Sequence, residues 1–191
     1  MRISGGQARG IPLVVPKGEL TRPATDGMRQ AVFSSLGLRV AGAWFLDLFA
    51  GSGAYGLEAL SRGAAGGIFV EKHARAAACV RQNIVAVCKS LGRDAGNGLN
   101  VMQADALTVA LGGAGETVPD LVFIDPPYQS IADAAPRLFA RLSEALAAKP
   151  EALIIFEAPG EVELAPDGWE QVKRLGKGKG QPTVMFFRRR R

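Results

Sequence analysis

The 191-residue chain is 48% hydrophobic and carries a formal charge of +5, which suits one domain whose core needs no covalent staple. It holds no apolar run of about 18 residues and no continuous apolar segment near Met1, so neither a membrane span nor a secretory signal is expected, and a cytoplasmic protein is. Two cysteines, Cys79 and Cys88, form no CxxC or CxxH pattern and His73 is the single histidine, so a disulfide framework and multi-histidine metal centres are excluded; free thiols and a surface imidazole are expected.

The first 30 or so residues contain Gly5, Gly6, Gly10, Pro12, Pro16 and Gly18, and read as an irregular or β-hairpin extension. It leads into a helix over about residues 25–36, capped by Thr25 or Asp26. From residue 43, short apolar runs alternate with amphipathic or alanine-rich stretches, the pattern of parallel strands joined by helices. Strands are predicted at 43–50, 66–72, 99–105, 120–125 and 151–159. Helices are predicted at 54–63, 74–92 and 132–146, the first two stopped by Gly63 and Gly92. Residues 169–189 read as two strands around a glycine- and lysine-rich connection, and with no helix between them they should pair antiparallel. The expected fold class is α/β, a mostly parallel seven-stranded sheet with a C-terminal antiparallel pair and a small N-terminal extension. One domain spans 1–191, with 1–36 as extension and entry helix and 43–191 as the core.

Charge is unevenly distributed. Residues 1–30 carry five basic side chains against two acids, residues 171–191 eight against none, and residues 31–170 ten against sixteen. An acidic middle with basic ends suits a polyanion held at one rim, because Lys and Arg neutralise phosphates and release counterions. For Arg188, Arg189, Arg190 and Arg191 the alternative is a solvated charge run that aids solubility.

The stretch DLFAGSGAYGLEA places Gly51, Gly53 and Gly56 in GxGxxG spacing between a predicted strand and helix. Glycines there let the backbone approach a ligand, with amides and a helix N-terminus facing it. Glu71, twenty residues beyond Gly51, ends the second strand where an acid receives ribose hydroxyls, with Lys72 beside it. Asp105 ends the third predicted strand and reaches the same crevice; Ala106 next to it offers a backbone amide to adenine. Two cofactors fit, a nicotinamide dinucleotide or S-adenosylmethionine. The second would explain Asp47, a charge within an apolar strand, as partner to the ammonium of an amino acid moiety; the alternative is a carboxylate satisfied by backbone amides. Phe49, Ala50 and Ser52 complete the predicted cofactor loop, although core packing explains Phe49 almost as well.

The run DLVFIDPPY stops on Asp125, Pro126, Pro127 and Tyr128. By itself it is also the end of a strand stopped by prolines. Together, LDLFAGSGAYGLEALSRGA, FVEK, QADAL and LVFIDPPY resemble a class I methyltransferase with the amino-methylating motif [DN]PP[YF]. Their order, and the N-terminal MRISGGQARGIPLVVPKGELTRPATDGMRQAVFSSL, resemble the bacterial small-subunit ribosomal RNA guanine-N2 methyltransferases of the RsmD type over nearly the whole chain. The segment departs from that pattern at Gly27, where a larger, usually basic residue is expected, and at Gln30, where an acid is usual.

The resemblance implies a Rossmann-like class I methyltransferase fold, S-adenosylmethionine as cofactor, and ribosomal RNA, in a small subunit or assembly intermediate, as partner. It also implies site roles. The Asp125 carboxylate and Pro126 carbonyl would accept both N–H groups of an exocyclic amine and aim its lone pair at the methyl donor. Pro127 would fix the direction of that carbonyl, and Tyr128 would stack on the target ring. Thr21, Arg22 and Arg29 fall on the substrate side, with a surface salt bridge as the alternative for Arg29. The same clamp accepts an adenine N6 amine, which keeps an N6-adenine methyltransferase open, and an RNA-binding assembly factor without turnover is the non-enzymatic alternative.

Overall fold

A computed structural model describes residues 1–16, 26–111, 117–176 and 178–190. Residues 1–14 form the expected hairpin, closed by an antiparallel bridge between Arg2 and Pro12 and by the Ile3 amide donating to the Ile11 carbonyl. Its buried Ile3, Ala8 and Leu13 join the core. The elements that follow are α1 (Asp26–Leu36), β1 (Trp44–Leu48), α2 (Ala54–Ser61), β2 (Gly66–Glu71), α3 (Ala74–Leu91), β3 (Leu99–Gln103), β4 (Leu121–Ile124), α4 (Ile131–Ala145), β5 (Leu153–Pro159), β6 (Trp169–Leu175) and β7 (Pro182–Arg189). No helix among the described residues is long and apolar enough to cross a membrane.

The seven strands form one sheet in the order β3-β2-β1-β4-β5-β7-β6. The first five are parallel, and β7 runs antiparallel to both β5 and β6. Alternation along each strand splits the core in two. Phe45, Phe69, Leu121, Phe123, Ile155 and Phe186 face the side covered by the hairpin, α1, α2 and α3. Leu48, Val122, Ile124, Phe156, Met185 and Phe187 face α4. The chain order reverses between β1 and β4, so the loops leaving these two strands border one crevice at the C-terminal edge of the sheet.

Among the boundaries that moved, three bear on the site. β1 ends at Leu48, β3 ends at Gln103, and β4 ends at Ile124, which leaves Asp105 and Asp125 in the loops beyond their strands. α4 begins at Ile131, so Pro136 lies in its second turn.

The basic tail is not at the crevice. Because β7 is antiparallel to β5, Pro182 lies opposite Pro159 at the crevice end, whereas Phe187 lies opposite Ile154. Arg188 and Arg189 therefore sit at the far edge of the sheet, where Arg188 pairs with Glu170 and Arg189 donates to the Ser143 carbonyl and lies over the Trp169 ring. Arg191 lies outside the described residues. The turn between β6 and β7, with Lys179 exposed, is at the crevice end, where the Gly180 amide donates to Glu161 and the Gly160 amide to the Gln181 carbonyl.

Candidate active site

The chain leaves β1 through a left-handed turn. Phe49 has φ 60°, the one non-glycine residue with positive φ among those described, and Gly51 and Gly53 follow at 56° and 79°. That conformation costs a non-glycine residue about 1–2 kcal/mol. It is held by the Ala50 amide donating to the Val70 carbonyl and the Gly53 amide to the Ala50 carbonyl. The glycines have different reasons. A Cβ at Gly51 would meet only the Phe49 carbonyl, at 3.9 Å, so this backbone faces open space. A Cβ at Gly56 would lie 2.4 Å from Phe69 and 2.6 Å from Phe45, so Gly56 lets α2 press onto the sheet.

Glu71 clasps the turn. Its buried carboxylate accepts the Gly51 amide at 2.9 Å on one oxygen and the His73 amide at 2.7 Å on the other. The predicted Glu71–Gly51 neighbourhood is thus direct contact. Lys72 ion-pairs with Asp105 at 2.9 Å, across the gap between the β2 and β3 loops. The Asp105 carboxylate also accepts the Leu107 amide, and these two bonds hold its pKa below the ordinary value. Ala106 is buried, and Arg141 of α4 holds the carbonyls of Ala106 and Val109. Ser52 turns away from Glu71: its hydroxyl meets the Met1 sulfur at 3.2 Å and its carbonyl accepts from Asn83.

Asp47 is 2% exposed and accepts the Gly56 amide at 2.9 Å. Burial pushes its pKa to about 8 and the nearby Glu71 charge adds to this, against the stabilising Gly56 bond. The backbone-amide alternative for this residue is therefore realised on one oxygen.

Across the switch point, the Asp125 amide faces the Leu48 carbonyl at 3.4 Å, so the second loop starts level with the first. Pro126 is buried, Pro127 is exposed, and the Pro127 carbonyl accepts both the amide and hydroxyl of Ser130 in a tight turn. That turn presents Tyr128 with 39% of its surface exposed. Asp125 is pushed well above the ordinary carboxylate range by burial first, then by the charges of Glu157 and Asp47.

Glu157 and Tyr55 were not singled out by the sequence reading. Glu157, at the end of β5, is 1% exposed and accepts the Tyr55 hydroxyl at 2.8 Å. A signal was present: EALIIFEAP, like AWFLDLFA and DLVFIDPPY, is an apolar run carrying one acid near its end.

Arg29 was expected on the substrate side, with a surface salt bridge as the alternative; the salt bridge forms, with Asp26, but from a buried side chain. It is 0% exposed, bonds the Arg2 carbonyl and Asp26, and lies 4.0 Å from the buried Glu58. The cause is the helix period, which puts Arg29 on the same stripe as Val32, Phe33 and Leu36. Thr21 and Arg22 lie outside the described residues.

Open backbone at Gly51, a strand-end acid at Glu71, a second acid at Asp105 and a carboxylate behind the loop suit a nucleoside joined to a zwitterionic amino acid. Next to them, an exposed ring and two oxygens at the DPPY turn suit a planar base bearing an amine.

Comparison with known proteins finds relatives that match over most of the chain. The family model described as conserved hypothetical protein 95 matches residues 1–188. Ribosomal RNA small subunit methyltransferase D of Escherichia coli is 40% identical over 129 residues, covering 68% of this chain and 61% of that protein. The protein of the same name from Haemophilus influenzae is 31% identical over 180 residues, 93% of this chain and 89% of its own. The solved structure of yhhF from Escherichia coli matches with TM-score 0.74 and 31% identity, covering 99% of this chain and 97% of that one.

Proposed function

Since the chain belongs to the conserved hypothetical protein 95 family and has the Rossmann-like class I methyltransferase fold, we propose that it methylates the exocyclic N2 amine of a guanine in small-subunit ribosomal RNA, with S-adenosylmethionine as donor. Ribosomal RNA methylation is the activity in the names of its relatives. The observation that supports amine methylation is that Asp125, which opens the DPPY turn, starts level with the Glu71-clasped turn across the switch point; the choice of guanine N2 rests on the resemblance to the RsmD type.

The bound cofactor would supply an electrophilic methyl group on sulfur. Glu71 would hold its ribose, Asp105 and the Ala106 amide would lie on the adenine side, with Lys72 fixing Asp105, and Asp47 would face its ammonium behind Phe49, Ala50, Gly51, Ser52 and Gly53. An exocyclic base amine is a weak nucleophile because its lone pair is delocalised into the ring. Asp125 and the Pro126 carbonyl, by accepting both N–H groups, would draw the nitrogen toward a tetrahedral form and direct the lone pair. Pro127 would fix the carbonyl, and Tyr128 would stack on the base once it leaves its helix or loop. Most of the acceleration then comes from position and exclusion of water. No covalent enzyme intermediate is needed. The setting would be the cytoplasm, with the RNA in a small subunit or assembly intermediate.

The test is methyl transfer from labelled S-adenosylmethionine to small-subunit ribosomal RNA, naked and in assembled particles, followed by nucleoside analysis. N2-methylguanosine is expected. Recovery of N6-methyladenosine would replace guanine by adenine while leaving the clamp in place.

A further inference from the structure

Methylating an amine leaves one proton too many on nitrogen, and the site described so far does not say where that proton goes. The β4–β5 register pairs Phe123 with Ile155 and Ile124 with Phe156. Asp125 follows the last paired residue of β4 and Glu157 the last paired residue of that register on β5, so continuing the register by one step brings the two acids together, and the Glu157 charge acts on Asp125. Glu157 is 1% exposed, one of its carboxylate oxygens accepts the Tyr55 hydroxyl, and the other is the single buried carboxylate oxygen among the described residues without a hydrogen-bond partner. A buried acceptor left open is a costly arrangement that calls for a use.

We propose that Glu157 is the proton acceptor behind the amine clamp, receiving through Asp125 the proton that the target nitrogen loses. The inference rests on the amine-methylating reading given above. As the N–C bond forms and the methyl–sulfur bond breaks, the nitrogen becomes cationic. One N–H electron pair returns to nitrogen, its proton passes to the Asp125 carboxylate, and Asp125 hands a proton to the open oxygen of Glu157. Asp125 ends the cycle ionised, and Glu157 releases its proton to solvent when the product leaves. The products are a methylated amine, a thioether and one proton.

The surroundings suit that task. Burial raises the pKa of Glu157 to about 7, opposed by the Tyr55 hydrogen bond and by the positive charge of Arg29 from α1. Tyr55 comes from α2, Asp125 from the end of β4, and Asp47 on β1 acts on Asp125. The β7 residue opposite Glu157 is the apolar Val184. An acid poised near neutrality can both take and release a proton.

Two measurements test this. In single-turnover methyl transfer across pH, the wild-type rate should rise with pH as the linked Asp125–Glu157 pair loses its protons. Glu157→Gln should lower the plateau by about 100-fold or more and, by removing a like charge, move Asp125 ionisation to lower pH, with cofactor affinity by calorimetry retained. Tyr55→Phe, which withdraws a bond favouring ionised Glu157, should move the rising limb to higher pH. A Glu157→Gln plateau equal to wild type would overturn the relay, as would a Tyr55→Phe profile superimposable on wild type.

The second measurement needs no substrate. Carbon-13 titration of the carboxyl groups in the protein alone should show Asp125 and Glu157 titrating as a linked pair above the usual carboxylate range, with Asp125 moving down in Glu157→Gln. Independent titration at ordinary values would overturn the proposal. A wild-type protein that methylates no ribosomal RNA would bring down the substrate reading instead, and the linked pair would then be judged by this titration.

Discussion

The Tyr55 ring stacks on that of Phe123, with centroids 5.4 Å apart and planes 15° apart. Tyr55 stands in the first turn of α2, directly after the glycine turn, and Phe123 is two residues before Asp125. One aromatic contact therefore keys the glycine turn to the DPPY turn, the two sides of the proposed site. Phe33 of α1 packs on both rings, at 6.5 and 5.6 Å, so the entry helix closes the same cluster. Such pairs add about 0.5–1.5 kcal/mol beyond their buried area.

Asp125→Ala removes a predicted N–H acceptor without touching the glycine turn. Methyl transfer should fall by about 100-fold or more, and calorimetry should find cofactor affinity little changed. Normal turnover in this variant would exclude the clamp.

Glu71→Ala should do the reverse. It frees the Gly51 and His73 amides that the carboxylate now holds and removes the expected ribose partner. We expect the cofactor dissociation constant to rise by about 10-fold or more, the equivalent of one or more charge-assisted hydrogen bonds at about 1.5–3 kcal/mol each. A titration of S-adenosylhomocysteine into the variant checks this.

Asp47→Asn should become relatively more stable as pH rises. The folded state holds the Asp47 proton up to about pH 8, whereas the unfolded chain releases it near 3.8. The folded state thus binds more protons between these values, and the wild type loses stability from this group as pH climbs through that window. Asparagine can still accept from Gly56 and never ionises. Thermal unfolding at pH 5 and pH 8 should show the variant's advantage growing with pH, while its cofactor binding weakens.

The two basic regions of the C-terminal hairpin should separate in a salt titration. Lys179→Ala, at the crevice end, should reduce the slope of log affinity for RNA against log salt by about 1. Arg189→Ala should leave the slope unchanged but destabilise the fold by about 1 kcal/mol through its bond to Ser143, a loss of about 2–4 °C in melting temperature for a domain of this size. A reduced slope for Arg189→Ala would place RNA at the far edge of the sheet.

The sheet and most of the site were legible because their signals are local. An apolar run ending in an acid, a glycine turn opening a helix, and an acid at a fixed distance each need only a short stretch of chain. What escaped depends on the partner across space. Arg29 sits on an i, i+3, i+4, i+7 stripe with Val32, Phe33 and Leu36, so its burial was readable, but its partners Arg2 and Glu58 lie far from it in sequence. Glu157 looked like the end of a core strand until Tyr55, 102 residues away, was placed against it. Charge alone left the tail open between a rim that holds a polyanion and a solvated run. An antiparallel last strand already implied that its end points away from the crevice.

The hairpin at the start of the chain has a practical consequence. The Met1 sulfur touches the Ser52 hydroxyl inside the glycine turn, and the Met1 carbonyl accepts the Leu13 amide. A peptide fused ahead of Met1 would start from a residue packed against the glycine turn and the core, where it could disturb that turn. A purification tag is better placed at the other end of the chain, because β7 ends at Arg189 on the opposite edge of the sheet.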